Sequence, residues 1–395
     1  MHNEILHIFV YKVLRIAIKP YLWLKFNYRS TRAADIPVPS IILVNHTSPW
    51  DPFFVASAFP EHMYFLSGAH VLRWGLRGRL ISFLAAPIPY PKTAGELKAV
   101  QRILFTLRSG KNVCIFPEGN MSDNGESNEI GDAIGKLVKR SGAGLVTYRI
   151  DGGYFSTPRW ASYPRRGRML GTPVSCLTAA ELEHMSTDAV NALIRKDLYV
   201  NAYQTQAAEQ IPYKGKALAE KLELALYLCP RCHRISTLTS KDDLFFCSCG
   251  LSLRYTPQAY LESETMEPAP FSTVLEWDKW QRSWFAEHLD QYRATEDDVP
   301  IFEDEDRQLI SVSGLKRTSL GSGRLSLYKD KLIFHYNDKR PPLILPFSEI
   351  LGMQLRNQKF LIFSTINHRS YESLSEASLS SLKYVTAYRL LTGTK

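Results

Sequence analysis

Two apolar spacings alternate along the amino-terminal half of the chain. Short unbroken runs, Ile41-Ile42-Leu43-Val44 and Val113-Cys114-Ile115-Phe116, have the length and β-branched content of buried strands, and a further strand is expected over 145–150. Between them the apolar positions recur every three or four residues. Leu97, Val100, Leu104 and Leu107 share one face of a helix expected over 96–108, which closes at Gly110 and delivers the chain into the Val113 run. A further helix is expected near 130–139, and Thr187 caps another running towards Tyr203. Strand and helix in this rhythm predict an α/β core over 1–205, a mixed sheet covered by helices.

Beyond residue 205 the pattern changes. Residues 206–227 read as a helical linker and 228–258 as a small cysteine-bearing module. Thr273-Val274-Leu275-Glu276 is a capping box opening a helix over 270–293 that carries Trp277, Trp280 and Trp284, which are expected in a core. Asp297, Asp298, Glu303, Asp304, Glu305 and Asp306 crowd 294–307, which reads as an acidic linker. Short strands follow over 308–395, at 324–328, 331–336, 343–347, 350–355 and 360–364, and a helix over 375–391 closes the chain. This mostly-β pattern resembles a pleckstrin-homology-like or GRAM domain, which could bind a lipid headgroup through Lys329, Lys331, Lys339 and Arg340. There is no repeat of solenoid length and no low-complexity tract.

Composition sets the surroundings. A chain of 395 residues with 45% hydrophobic and 22% charged side chains is globular, with material for two or three domains. Net charge is +9, and the first 32 residues hold Lys12, Arg15, Lys19, Lys25, Arg29 and Arg32 against Glu4. Positive charge concentrated there favours anionic lipid surfaces over nucleic acid. Wound as a helix with a kink or break at Pro20, residues 4–26 put Lys12, Arg15 and Lys19 on one stripe, with Phe9, Val13, Ile16, Tyr21, Trp23 and Leu24 as apolar and aromatic surface. Charges interrupt the segment too often for a spanning helix, and no small-residue cleavage site marks a secretory signal. The other reading is a first helix packed on the core. A second basic contact is expected over 70–83, where Arg73, Arg77 and Arg79 stand among Leu72, Trp74, Leu76 and Leu80.

Candidate chemistry sits where two strand runs end. Asn45-His46-Thr47-Ser48-Pro49-Trp50-Asp51 follows the first run, and Phe116-Pro117-Glu118-Gly119-Asn120-Met121-Ser122 overlaps the end of the second. Loops leaving the carboxyl ends of neighbouring strands converge on one crevice, so His46, Asp51 and Glu118 are expected to share a pocket. A histidine can take the proton of an attacking hydroxyl while a carboxylate on its other nitrogen fixes the tautomer. No G-x-S-x-G elbow accompanies the pair, so the substrate itself is expected to supply the hydroxyl and attack an acyl carbonyl.

With these motifs the sequence resembles the glycerolipid acyltransferases, the 1-acylglycerol-3-phosphate acyltransferase family, over about residues 1–200. The resemblance implies that N-H-x4-D is catalytic, with His46 the base and Asp51 its orienter. It implies that the F-P-E-G segment binds the acceptor, with Glu118 and Gly119 in that pocket and Asn45 and Asn120 beside them. A third family block is matched loosely by 86–92, with Lys92 in its arginine position, and a fourth by 145–150 without its proline. The acceptor motif's arginine is here Met121, which can make neither a charge contact nor a bidentate hydrogen bond. Lys92 or Arg159, Arg165, Arg166 and Arg168 could take over the acceptor's phosphate, unless the four arginines form a solvated basic loop.

A separate signal is Cys229-Pro230-Arg231-Cys232 with Cys247-Ser248-Cys249-Gly250. Two thiol pairs at this separation suit a structural Zn²⁺ held by four thiolates in a zinc-ribbon-like module, with disulfides as the alternative. Cys114 and Cys176 read as small hydrophobes. Taken together, the expectation is a peripheral enzyme at the cytoplasmic face of a membrane, working on the phospholipid surface. It would move a fatty acyl group from acyl-CoA or acyl carrier protein to the hydroxyl of a lysophospholipid or related glycerolipid, with no nucleic-acid partner. The alternative is a non-catalytic lipid-binding or adaptor protein on a decayed acyltransferase core.

Overall fold

The structure is a computed structural model, and it describes residues 2–33, 35–68, 87–90, 96–314, 316–356, 358–375, 377 and 379–394. The chain divides into two compact units, residues 1–158 with 164–215, and residues 159–163 with 216–395. Lys92 and the basic segment 70–83 lie outside the described residues.

The first unit is built on a mixed sheet. Its strands are β1 (Tyr28–Ser30), β2 (Ser40–Val44), β3 (Met63–Gly68), β4 (Ile88–Tyr90), β5 (Asn112–Ile115), β6 (Gly144–Asp151) and β7 (Met169–Leu177), in the order β1-β7-β6-β2-β5-β3-β4. Only the β6–β7 pair is antiparallel. All five residues of β2 are buried, because helices cover both faces of the sheet and a central parallel strand has no solvent side. Side chains alternate across the sheet, so Ile41 and Leu43 join one core and Ile42 and Val44 the other. The first core is filled by Ile103 and Leu107 of Glu96–Arg108, Ile134 and Val138 of Ala133–Ser141, and Val190, Ile194 and Leu198 of Thr187–Leu198. The last of these helices is capped by Ser186, one residue before the expected Thr187.

Helix α1 (His2–Phe26) and helix α2 (Asp51–Ala58) cover the other face. Pro20 lies within α1 without ending it. Leu22 and Phe26 are fully buried, and the Tyr11 hydroxyl donates to the carbonyls of Ala56 and Phe59 at 3.3 and 3.1 Å. The outward side of α1 exposes Phe9, Val13, Ile16, Trp23 and Leu24, so the helix packs on the core and still presents an apolar face. Among the described residues no helix is long and apolar enough to cross a membrane.

The second unit starts with an antiparallel four-stranded sheet, β8 (Leu238–Lys241), β9 (Leu244–Cys247), β10 (Ser252–Tyr255) and β11 (Leu261–Ser263). The helix Val274–Glu287 follows, opened by a complete Thr273–Glu276 capping box, with Trp277 fully buried. Seven antiparallel strands then form a half-barrel in the order β15-β14-β13-β12-β18-β17-β16: β12 (Phe302–Ser313), β13 (Lys316–Leu327), β14 (Lys331–Tyr336), β15 (Leu343–Pro346), β16 (Ile350–Arg356), β17 (Phe360–Thr365) and β18 (Ser370–Ser375). The helix Leu382–Thr392 fills it with Leu382, Tyr384, Val385 and Tyr388.

Several expectations are corrected here. Residues 206–227 are not a helical linker: the helix Ala202–Glu209 ends with Gln210 in the left-handed region, Pro212 and Gly215 follow, and only a 3-10 turn at Leu222–Leu224 comes after. Nor is 294–307 an acidic linker throughout. β12 begins at Phe302, and Asp304 is buried because its carboxylate meets both Arg307, at 3.4 Å, and Lys383. An acid with two buried cations for partners can sit inside a β domain. Of the four basic residues offered for a lipid headgroup, Lys339 is exposed and the other three are engaged within the chain. Lys329 is held by Asp297 and the Thr295 carbonyl, Lys331 by the Asp297 carbonyl, and Arg340 by Asp338 and the Leu320 carbonyl.

Candidate active site

β2 lies between β5 and β6, parallel to both, with Leu43 opposite Ile115 and Val44 opposite Tyr148. The loops after these strands therefore leave the sheet side by side, and three segments meet: 45–50, 116–122 and 152–157. Asn45 ties the first to the third. Its Nδ2 donates to the Ile150 carbonyl at 2.9 Å and its Oδ1 accepts from the Ile150 N–H at 2.7 Å. Asn45 is thus a buried cross-link between two strand ends.

Asp51 is fully buried at the first residue of α2. Its Oδ2 accepts from His46 Nδ1 at 2.8 Å and from the backbone N–H groups of Thr47 and Ser48 at 2.7 and 2.9 Å. A carboxylate collecting three donors at the start of a helix has its desolvation offset by those bonds and by the helix dipole. The imidazole is held on Nδ1 and stacks on Phe116, with centroids 4.5 Å apart and planes inclined by 25°. Among the described residues Nε2 makes no hydrogen bond, and the ring keeps 21% of its exposure. It lines a small crevice shared with Thr47, Glu118, Ser122, Gly153 and Tyr154.

Glu118 reaches the same place by a different route. Its Oε1 accepts from the His46 N–H at 2.8 Å and its Oε2 from the Asn128 N–H at 2.6 Å. Burial pushes its carboxyl up to about 7, against the lowering effect of those two bonds. Gly119 makes the turn behind it at φ +70°, its N–H bonded to the Phe116 carbonyl at 3.1 Å. Asn120 lies on the far side of this turn, where its carbonyl accepts from Asn128 Nδ2 at 3.0 Å.

Residues 27–151 match the sequence profile of the Acyltransferase family. These residues form an Acyltransferase domain. Solved structures show partial likenesses to the chain. The 1-acyl-sn-glycerophosphate (LPA) acyltransferase PlsC from Thermotoga maritima is 16% identical, over 48% of this chain and 76% of its own, with a TM-score of 0.40. Dcp1p is 13% identical over 27% and 94%, with a TM-score of 0.20. The linker-DH/PH segment of p115-RhoGEF is 12% identical over 31% and 44%, with a TM-score of 0.19. At these scores the structural likenesses add nothing to the family assignment. No curated protein matches the chain.

The arginines expected to replace the missing motif cation are engaged elsewhere. Arg165 is buried. Arg166 donates to the Leu24 carbonyl at 2.9 Å, Arg168 is paired with Glu209, and Arg159 belongs to the second unit. Arg166 and Arg168 thus spend part of their hydrogen-bonding capacity on a carbonyl and a carboxylate of the chain itself. Sequence reading also missed contributors to the Acyltransferase domain's site. Phe116 stacks on His46. The Ser122 N–H donates to the His46 carbonyl at 3.0 Å, and the Thr157 hydroxyl bonds that of Ser48 at 2.8 Å. Phe116 and Ser122 stand inside the second motif, whereas Thr157 had no signal beyond lying past the β6 run.

In the second unit Cys229, Cys232, Cys247 and Cys249 bring their sulfurs within 4.8 Å of one another. Cys229 and Cys249 are 3.7 Å apart, Cys232 and Cys247 3.8 Å. Zn–S bonds of about 2.3 Å in a tetrahedron place sulfurs about 3.8 Å apart, so the four thiols fit one Zn²⁺. Such spacings are far too long for the alternative disulfides, whose sulfurs lie about 2 Å apart.

Proposed function

We propose that the protein is a membrane-peripheral O-acyltransferase that transfers a fatty acyl group from a thioester, acyl-CoA or acyl carrier protein, to the hydroxyl of a lysophospholipid or related glycerolipid. The observation that carries this is the His46–Asp51 pair at 2.8 Å with Nε2 open to the crevice and no G-x-S-x-G elbow in the sequence. The acceptor O–H gives its proton to Nε2 while its oxygen attacks the thioester carbonyl. The tetrahedral intermediate then collapses, the C–S bond breaks, and the imidazolium returns the proton to the leaving thiolate. General-base help of this kind is worth about 10²- to 10⁴-fold in rate.

The exposed apolar face of α1, with Lys12 and Lys19 also exposed, supports a contact with the headgroup region of an anionic bilayer at its cytoplasmic face. Zn²⁺ held by the four cysteines of a zinc-ribbon-like module is structural in this reading, because four protein thiolates leave no open coordination position. The half-barrel with its closing helix supports a PH-like assignment for the last part of the chain.

Incubation of the purified chain with labelled acyl-CoA or acyl carrier protein and a panel of lysolipids, beside His46→Ala, tests the reading. Transfer abolished by His46→Ala is the expected result, and turnover indifferent to that change defeats the mechanism. Met121, in place of the motif arginine, favours the second reading of a decayed core acting as a lipid-binding or adaptor protein. Vesicle binding without transfer to any acceptor would select it.

A further inference from the structure

We infer that Glu118 is a positioning residue for His46, acting through the histidine's main chain and not on the acceptor. This rests on His46 being the base. Each carboxylate oxygen is committed to a backbone N–H from a different segment: Oε1 to His46 at 2.8 Å and Oε2 to Asn128 at 2.6 Å. The side chain is only 8% exposed. From the same loop, the Ser122 N–H donates to the His46 carbonyl at 3.0 Å and Phe116 supports the ring. Both main-chain polar groups of His46 are therefore gripped by 116–122, while Asp51 fixes only the rotation of the imidazole. The direction in which Nε2 points follows from the two together.

The Glu-Gly pairing has a physical reason in this arrangement. A Cβ added at Gly119 would meet nothing within 4 Å, so space does not require glycine there; the φ of +70° does. That left-handed turn folds the chain so that Glu118 faces back to His46. A carboxylate directed at an incoming headgroup would instead need water-facing lone pairs and free rotation. This one is dry, as its raised proton affinity also indicates.

Glu118→Gln keeps the size but puts an N–H₂ against one of the two N–H donors, and Glu118→Asp keeps the charge but is one methylene too short to span both. A displacement of the base by about 1 Å costs roughly 10²-fold in rate. Both variants are expected to lose about that factor in kcat with acceptor KM unchanged, and to speed hydrogen exchange in the peptide containing the His46 amide. Glu118→Asp supplies the measurement should Glu118→Gln fail to fold. A raised acceptor KM with kcat retained overturns the proposal, as does exchange at His46 identical to wild type. Faster exchange in a protein whose wild type transfers no acyl group would count against the acyltransferase reading and leave the Glu118–His46 contact standing.

Discussion

Replacing Asp51 by asparagine separates charge from geometry at the proposed base. Asp51 Oδ2 accepts from His46 Nδ1, Thr47 N and Ser48 N, and Oδ1 accepts from the Thr47 hydroxyl at 3.3 Å. An asparagine with its oxygen in the Oδ2 position accepts the same three N–H groups. Its Nδ2 then faces the Thr47 hydroxyl, which can accept as readily as donate. What disappears is one negative charge beside an imidazolium that forms only as the acceptor is deprotonated. Two unit charges about 4 Å apart attract by about 4 kcal/mol at an effective dielectric of about 20. The neutral hydrogen bond that remains recovers about 1–2 kcal/mol of this, leaving about 2–3 kcal/mol of transition-state stabilisation lost. That is a fall of roughly 10²-fold in kcat. Melting should change little, since the helix-dipole contribution of one acid is about 0.3–1 kcal/mol. Asp51→Ala behaves differently, because it leaves the Thr47 and Ser48 amides without their acceptor at about 1–3 kcal/mol each and should lower Tm as well as rate. Initial rates of acyl transfer from labelled thioester, with thermal melts on the same preparations, give both quantities. A folded Asp51→Asn protein that turns over at the wild-type rate refutes the reasoning.

Three further outcomes are expected. Metal analysis should find one zinc per chain, and its removal by a chelator should lower Tm and perturb Trp277, whose Nε1 donates to the Leu228 carbonyl beside Cys229; a metal-free chain with the same melt excludes a structural zinc. The Glu118 carboxyl titrates near 7 when folded against an ordinary 4.5, so between those values the folded state binds the extra proton, and stability should fall by about 3 kcal/mol as pH rises across that window. Glu118→Gln should flatten that slope in denaturant titrations, and an unchanged slope would locate the effect elsewhere. Phe9→Ser with Trp23→Ser removes two exposed aromatics worth about 1.5–3 kcal/mol each if buried in a bilayer, so sedimentation with anionic vesicles should weaken by well over tenfold without loss of fold. Equal sedimentation would remove α1 from the membrane contact.

The sheet was legible because its signals are local. A parallel strand such as β2 must be apolar on every residue, and the helices between strands show an apolar stripe, although on Glu96–Arg108 the buried positions are Ala99, Ile103 and Leu107 while Leu97, expected on that face, is exposed. The meeting of His46 with Asp51 was legible for the same reason, since five positions and a helix start bring the two together. The buried ion cluster of Asp304, Arg307 and Lys383 was not. Aspartates exposed to water and aspartates with partners 79 residues away look identical in a sequence, so the first part of β12, residues 302–307, reads as the end of an acidic linker. The partners of Arg166 and Arg168 were equally hidden, because a run of arginines does not show in sequence that one will meet the Leu24 carbonyl and another Glu209. Glu118 was placed at the crevice, and its backbone partners were not foreseen. Motif spacing shows that the glutamate reaches the crevice, whereas only the fold shows that its two oxygens face backbone N–H groups.

The way the first motif spends its polar groups has a consequence for specificity. The Asn45 amide is consumed by Ile150, the Asp51 carboxylate by His46, Thr47 and Ser48, and the Ser48 hydroxyl by the Trp50 N–H and Thr157. Trp50 packs between Phe26 and Phe53 with Lys25 over its ring at 4.6 Å. The segment 45–51 is thus satisfied internally, and what it offers outward is the Nε2 of one imidazole. In the proposed mechanism such a motif would deprotonate the acceptor hydroxyl without distinguishing one acceptor from another. Selection would then come from residues outside this motif, and because Met121 holds the sequence position of the second motif's arginine, exchanging it should alter acceptor preference while leaving the proposed proton transfer at His46 intact.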